Sequence, residues 1–451
     1  MVFLFPSVLI KKIIKVLAAS FFLFTLVGGK FQHSKNFILK TMRILHVISQ
    51  APDFTGSGKY LQAILSCAKE RGHTNFLVAG IQGDFQLDSK LIRENHVRYI
   101  RFGTGMLDYP LPGMSDVMPY QSTRFLELSQ SQIHEYETAF GTVVRDAIDQ
   151  FEPDMIHVHH LWLVACVVRR IALDIPMVAT CHGTCLRQMV LCPHIADKVS
   201  CDIRKIDTIM ALSHDQKAMI SSIHGVLPER IRVVGGGFSD KLFYCSEKSS
   251  QGSVEIVYAG KLSEAKGVPW LLRSMEKTKF QNWKLHLAGG GAGREYEHCL
   301  ELASKIGGRV IIHGTLSHTN LAELMRQCHL FVLPSFYEGL PLVLMEALAS
   351  GCRIITTALP GMLEVLGSES SPLVKLIHLP DLETIDRPFK SDYPALEQAL
   401  ASALDTALEQ AFECPEPNYR EAALVSGKYT WPQIFLRMEE AYQQALNCHR
   451  K

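Results

Sequence analysis

From residue 42 onward, short β-branched apolar runs alternate with longer stretches whose apolar positions recur every three or four residues. The runs at 44–48, 76–79, 97–102, 155–159, 177–180, 208–212 and 231–234 have the length and side-chain type of buried strands. Helical periodicity lies between them, near 59–71, 132–150, 163–173 and 215–223. After a polar stretch at 246–253 a second series follows, with strands predicted at 254–259, 284–288, 310–313, 330–333 and 353–356. Its helices fall near 268–276, 294–306, 321–328 and 342–349. Such alternation predicts an α/β chain with two Rossmann-like domains, each a parallel sheet covered by helices. The boundaries read as 42–245 and 254–427, with 246–253 as linker. A closing amphipathic helix at 428–447 carries Trp431, Ile434, Phe435, Met438 and Tyr442 on one face.

At 451 residues the chain exceeds one ordinary core, and 47% hydrophobic with 20% charged residues is a globular composition. A net charge of +1 supplies no field for nucleic acid, so substrate steering falls to local groups. The twelve cysteines are irregularly spaced, which suits reduced buried thiols better than a disulfide frame. Cys181, Cys185, Cys192 and Cys201 cluster with His182 and His194, but no spacing among them is a CxxC knuckle. Residues 1–41 pair lysines at 11, 12 and 15 with an apolar run at 16–29 that is short of the roughly 20 residues a span requires. They read as sequence upstream of a start at Met42, or as a peripheral membrane anchor, rather than as an export signal.

Two open parallel sheets offer ligands the carboxyl ends of their strands, and the residue types with useful chemistry fall there. Gly56 and Gly58 follow the first strand, His182 follows the run ending at Thr180, Gly260 follows 254–259, and Glu338 follows 330–333. In SFYEGLPLVLME, residues 335–346, Pro341 suits a helix start and Gly339 permits close backbone approach. The free amides there would form a diphosphate site, while Glu338 and Glu346 would accept sugar hydroxyls, one at each end of a nucleotide sugar. In the 260–267 segment, Lys261 and Lys266 bracket an anion whose charge grows as a leaving group departs. No DxD triplet occurs, so lysines and helix amides, rather than a metal, are expected to meet that charge. His157, His159 and His160 read as strand and cleft-wall residues.

These strings resemble the retaining GT-B glycosyltransferases of family 4. The resemblance runs through ILHVISQAPDFTGSGKY, HVHHLW, TCHGT, RIRVVGGGFSDKLF, AGKLSEAKG and LPSFYEGLPLVLMEALASGCRIITT, nearly the whole chain from Met42. It implies two domains facing a central cleft, with the acceptor on the first, a nucleotide diphosphate sugar on the second, and a last helix crossing back. It further implies that Gly56 and Gly58 form the loop nearing donor phosphates or acceptor, and that Lys261, Lys266 and the amides of Gly339 and Leu340 hold the diphosphate. Glu338 would meet the donor sugar, Glu346 the ribose, and His182 the reacting carbon; Glu364 matches a further carboxylate. The implied reaction transfers a sugar to a hydroxyl of a glycan, lipid-linked or small-molecule acceptor with retained configuration, in polysaccharide, lipopolysaccharide or glycoconjugate synthesis. A cytosolic donor implies a cytoplasmic protein, with contact to the inner face of the membrane as the role of an anchor. Alternatives on the same fold are an epimerase or phosphorylase, and a non-catalytic sugar-nucleotide-binding subunit. Lys261 stands where the family has arginine, Gly236-Gly237 where it has Asn-Gly, and 367–392 departs from its pattern.

Overall fold

The computed structural model describes residues 40–449 apart from 53, 54, 86, 106, 116, 117, 119, 339, 367–370, 385 and 417; the N-terminal segment up to residue 39, with the readings made of it, lies outside these. Seven strands form the first sheet: β1 (Arg43–Ile48), β2 (Thr74–Gln82), β3 (Val97–Phe102), β4 (Met155–His159), β5 (Met177–Thr180), β6 (Thr208–Ala211) and β7 (Ile231–Val233). Six form the second: β8 (Val254–Ala259), β9 (Trp283–Ala288), β10 (Val310–Gly314), β11 (Leu330–Leu333), β12 (Arg353–Thr357) and β13 (Val374–Ile377). The spatial orders are β3-β2-β1-β4-β5-β6-β7 and β10-β9-β8-β11-β12-β13. Every pairing in both is parallel.

Strand order therefore reverses twice, between β1 and β4 and between β8 and β11. At such a switch point neighbouring connections leave toward opposite faces, opening a crevice beyond the carboxyl ends. Helices cover both faces, so the central strands read as continuous apolar runs. β1 and β4 are buried almost throughout even though they contain His46, His157 and His159.

Several elements are not visible in the periodicity. β13 adds an edge strand inside the divergent 367–392 segment, followed by a small antiparallel pair, Leu382–Thr384 with Arg387–Pro388. The helix Tyr393–Glu413 then packs its Leu396, Leu400, Leu404 and Leu408 face into the second core. The polar stretch 246–253 is pinned rather than loose. Lys248, 5% exposed, donates to the carbonyls of Met325 at 3.0 Å, Arg326 at 3.0 Å and Ser350 at 2.8 Å, placing its charge against two helix C-termini.

The helix Trp431–His449 crosses onto the first domain. Its Glu439 accepts from Arg71 Nε at 2.7 Å and pairs with His73 Nε2 at 3.0 Å, and its Tyr442 hydroxyl meets His157 Nδ1 at 3.0 Å. The two interdomain passages are laced together where Phe238 N–H donates to Tyr429 O at 2.9 Å and Trp431 N–H to Phe238 O at 3.1 Å. No helix among the described residues is long and apolar enough to cross a membrane.

Candidate functional site

On the first domain, β1 ends into Ser49 and Gln50, and Thr55 caps the helix Gly56–Glu70 by accepting from Gly58 N–H at 3.0 Å. That cap starts the helix earlier than its periodicity predicts, and it corrects one expectation. Gly58 is buried with its amide already bonded, so it is not a free loop donor, while Gly56 lines the cleft. β4 ends into His160, which holds φ at 76°, a left-handed conformation costly for a residue with a Cβ. His160 is 1% exposed, and its ring is within hydrogen-bonding reach of Cys185 Sγ. β5 leads to His182, which faces the cleft beside His160 with ring centroids 4.8 Å apart.

Behind His182 lies a layer of imidazoles. His182 Nε2 shares a hydrogen bond of 3.3 Å with His159 Nδ1, and His157 joins the hydroxyls of Tyr442 at 3.0 Å and Thr180 at 2.7 Å. Burial penalises their charged forms, holding His157, His159 and His182 well below the ordinary histidine range and His46 at about 4. Mutual repulsion would add to the cost of charging any of them. Neutral His182 can donate or accept a hydrogen bond but brings no fixed charge. Tyr60 closes the layer, edge-on to His182 at 5.0 Å and to Trp431 at 5.1 Å, its hydroxyl donating to Gly235 O at 3.3 Å.

On the second domain two loops are forced together. Gly267 has φ 69°, and a Cβ there would lie 2.0 Å from Pro334 O, so only glycine allows this approach. Phe336 N–H also donates to Ala265 O at 2.9 Å. Neighbouring side chains consequently meet: Lys266 Nζ contacts Glu338 Oε1 at 2.6 Å, and Ser335 Oγ donates to the same oxygen at 3.0 Å. Sequence spacing suggests separate tasks for Lys266 and Glu338; here they form one ion pair. Lys261 is exposed on the neighbouring loop, with its carbonyl accepting from Tyr258.

Leu340 and Pro341 lead into the helix Leu342–Ala349, whose first turn has no side-chain cap. Glu346 lies one turn below Leu342 on the same face. It is 7% exposed, and burial pushes its carboxyl up to about 7. Gly339 lies outside the described residues. Glu364 stands apart from this group. It accepts from His214 N–H at 2.8 Å and from His214 Nδ1 at 2.9 Å, so its carboxylate caps a first-domain helix across the cleft. Glu364 thereby links the two domains at the cleft.

The walls meet in a cavity of about 370 Å³ lined by Gln50, Gly56, Tyr60, His160 and His182 from the first domain and Leu340 and Leu342 from the second. Met114, Ser115 and Met118 enter from the 104–123 loop. The HVHH run does name His160, but nothing in it signals the left-handed backbone that turns this side chain into the cleft. The four cysteines do not converge. Cys181 and Cys185 lie 3.4 Å apart, Cys192 donates to Gln188, and exposed Cys201 accepts from Arg204.

Comparison with known proteins gives two family models in tandem, "Glycosyltransferase Family 4" over residues 54–241 and "Glycosyl transferases group 1" over 246–375. A glycogen synthase of Mycobacterium tuberculosis is 27% identical over 229 residues, covering 48% of this chain and 55% of that one, so the chain spans about half the length of that relative. A phosphatidylinositol N-acetylglucosaminyltransferase subunit of Arabidopsis thaliana is 21% identical over 408 residues, 89% of this chain and 81% of its own. Among solved structures, Anabaena HepE in complex with UDP superposes with a TM-score of 0.63 at 17% identity, covering 88% of this chain and 99% of that chain. The sucrose-phosphate synthase of Thermosynechococcus elongatus gives 0.62 at 17% identity, over 89% and 98%.

Proposed function

This chain belongs to the GT-B glycosyltransferases, and on that premise we propose that it transfers a sugar from a nucleotide diphosphate sugar to an acceptor hydroxyl with retained configuration, in polysaccharide, lipopolysaccharide or glycoconjugate synthesis. The observation that carries the reading is the Lys266–Glu338 pair at the second switch point, next to the cavity that His182 lines. HepE has been solved with UDP and with UDP-glucose, which supports a nucleotide-sugar donor on this fold.

In this reading the diphosphate lies over the uncapped start of Leu342–Ala349, where the amides of Leu340 and its neighbours face it. Lys266 leaves Glu338 for the phosphates, and Lys261 adds a second cation. Glu338, released, accepts from the donor sugar's hydroxyls, and Glu346 accepts from the ribose. As the glycosidic bond to the leaving diphosphate breaks, charge grows on the phosphate oxygens and the sugar takes oxocarbenium character. Fixed cations and amides stabilise the first. Neutral His182 can accept a hydrogen bond beside the reacting carbon without repelling its developing positive charge. The leaving group's charge is met by protein groups alone, so a chelator should leave turnover unchanged.

The test is release of nucleoside diphosphate from a panel of nucleotide sugars, by the full chain and by Lys266→Ala and Glu338→Ala. Loss of one fixed donor or acceptor should lower turnover roughly 10²–10³-fold. Unchanged turnover in both variants would overturn the assignment.

A further inference from the structure

We propose that the acceptor is an uncharged polyol with an apolar face, and that phosphorylated or carboxylated acceptors are excluded. The proposal rests on the transfer reading of this cleft and names the substrate class that its first-domain half admits. None of the described residues lining the cavity is a lysine, arginine, aspartate or glutamate. Its polar side chains are those of Gln50, Thr55, Ser57, Tyr60, Ser115, His160, His182 and Thr184. An anion brought here would lose its hydration and find no fixed cation in return, a balance that weighs against every buried charge. His182 cannot supply the missing cation, because burial holds it neutral. Lys266 is bound to Glu338, and in the transfer reading it is claimed by the donor diphosphate, whose own charge would repel a second anion.

The polar groups that are present suit hydroxyls. His160 is held on a strained backbone, and the cost of φ 76° is explained if the side chain has a ligand to hold. Even with the Cys185 thiol close to this ring, a nitrogen remains for the ligand. An imidazole nitrogen offers one hydrogen-bonding position, which matches a hydroxyl. Gln50 Oε1 is taken by Ser57 at 3.1 Å, whereas its Nε2 reaches only Met118 Sδ at 4.0 Å and can turn to a ligand. The same cavity is lined by Tyr60, Met114, Met118, Leu212, Leu340 and Leu342, apolar surface suited to the C–H face of a sugar ring or an apolar aglycone.

Donor hydrolysis without added acceptor is measured first. If no nucleoside diphosphate is released and none binds, the transfer reading itself falls, whatever the acceptor. With a donor established, matched pairs are compared: a neutral glycoside against its 6-phosphate, and against its uronic acid. The neutral member should exceed each charged one at least a hundredfold in kcat/KM; equal or reversed values overturn the proposal. Where neither member is glycosylated, inhibition of donor hydrolysis is read instead. Neutral glycosides should inhibit and their phosphates should not, and the reverse order, or inhibition by neither, overturns it. In Met118→Lys the ratio of charged to neutral acceptor use should rise at least tenfold; an unmoved ratio means the acceptor lies elsewhere. His160→Phe should raise the neutral acceptor's KM, whereas His160→Asn, which tolerates the left-handed backbone and keeps a donor and an acceptor, should restore it in part.

Discussion

Replacing Glu346 by glutamine separates what its burial costs from what it does. The carboxyl is 7% exposed and burial raises it from 4.5 to about 7. In the unfolded chain the group ionises near its ordinary value, so between these two values the folded state holds a proton that the unfolded state has lost. The group's contribution to stability is thus complete below pH 4.5 and lost as pH rises through 7. Two and a half decades of shift put the cost of burying the charge at roughly 3 kcal/mol near pH 8, and under about 1 kcal/mol near pH 5. Glutamine keeps the shape and removes the titration. Urea denaturation of the full chain and of Glu346→Gln at both pH values therefore gives a double difference, in which the histidine contributions cancel. The variant's advantage should grow by about 2 kcal/mol from the lower to the higher pH. A ribose hydroxyl donating to the carboxylate favours its charged form. Nucleoside diphosphate should accordingly bind the parent more tightly above pH 7 and Glu346→Gln more weakly and with no such trend. Parallel pH–stability curves for the two proteins would refute the reasoning.

The buried imidazoles act with the opposite sign. His46 titrates at about 4 when folded, so below pH 6.5 the unfolded chain takes up protons that the fold refuses. Near pH 5 this removes about 2 kcal/mol for His46 alone, and a melting temperature that does not fall between pH 7.5 and 5 would count against the layer being neutral. Gly267→Ala places a Cβ 2.0 Å from Pro334 O in a left-handed backbone. It should cost at least about 2 kcal/mol and lower donor turnover more than tenfold by parting Lys266 from Glu338; a variant with parental melting and turnover would show that the two loops need not touch. Lys248→Met removes a buried ammonium and its three hydrogen bonds to carbonyls at two helix ends. About 2–4 kcal/mol of stability should be lost in urea titration, with donor KM unchanged at a temperature where the variant is folded.

The strand framework was legible because buried parallel strands and amphipathic helices each impose their own period on the chain. The predicted bounds of β8 and β11 coincide with those observed, and the helix 342–349 is found as predicted. Boundaries set by side-chain caps were less visible. Thr55 starts its helix at Gly56, ahead of the first strongly periodic residue, and this moves Gly58 from a loop into a closed turn. β13 was hidden because four residues at a sheet edge, Val374–Ile377, carry too little pattern to be told from a loop. Within the candidate site, residue types were readable and partnerships were not. That Lys266 faces Glu338 depends on a backbone contact between Gly267 and Pro334, which are far apart in sequence. That Glu364 faces His214 depends on how two domains meet.

The Gly236-Gly237 departure has its explanation at that meeting point. A Cβ at Gly236 would lie 2.5 Å from Leu342, the first residue of the second-domain helix that carries Glu346. One at Gly237 would lie 2.6 Å from the Trp431 ring at the start of the crossing helix. The first domain's last turn, the start of the Leu342–Ala349 helix and the crossing helix are thus packed backbone to side chain, with no room for a methyl group. Leucine can swing aside at small cost; an indole held edge-on against Tyr60 cannot. Tyr60 in turn touches His182, so the spacing between the His182 wall and the wall of Leu340 and Leu342 is set by two glycines. An asparagine in place of Gly236 would turn the Leu342 side chain aside, whereas any side chain at Gly237 would run into the Trp431 indole. The glycine pair and the flexible Leu342 are therefore a matched set, and the depth of the cleft is a property of their contact rather than of either domain alone.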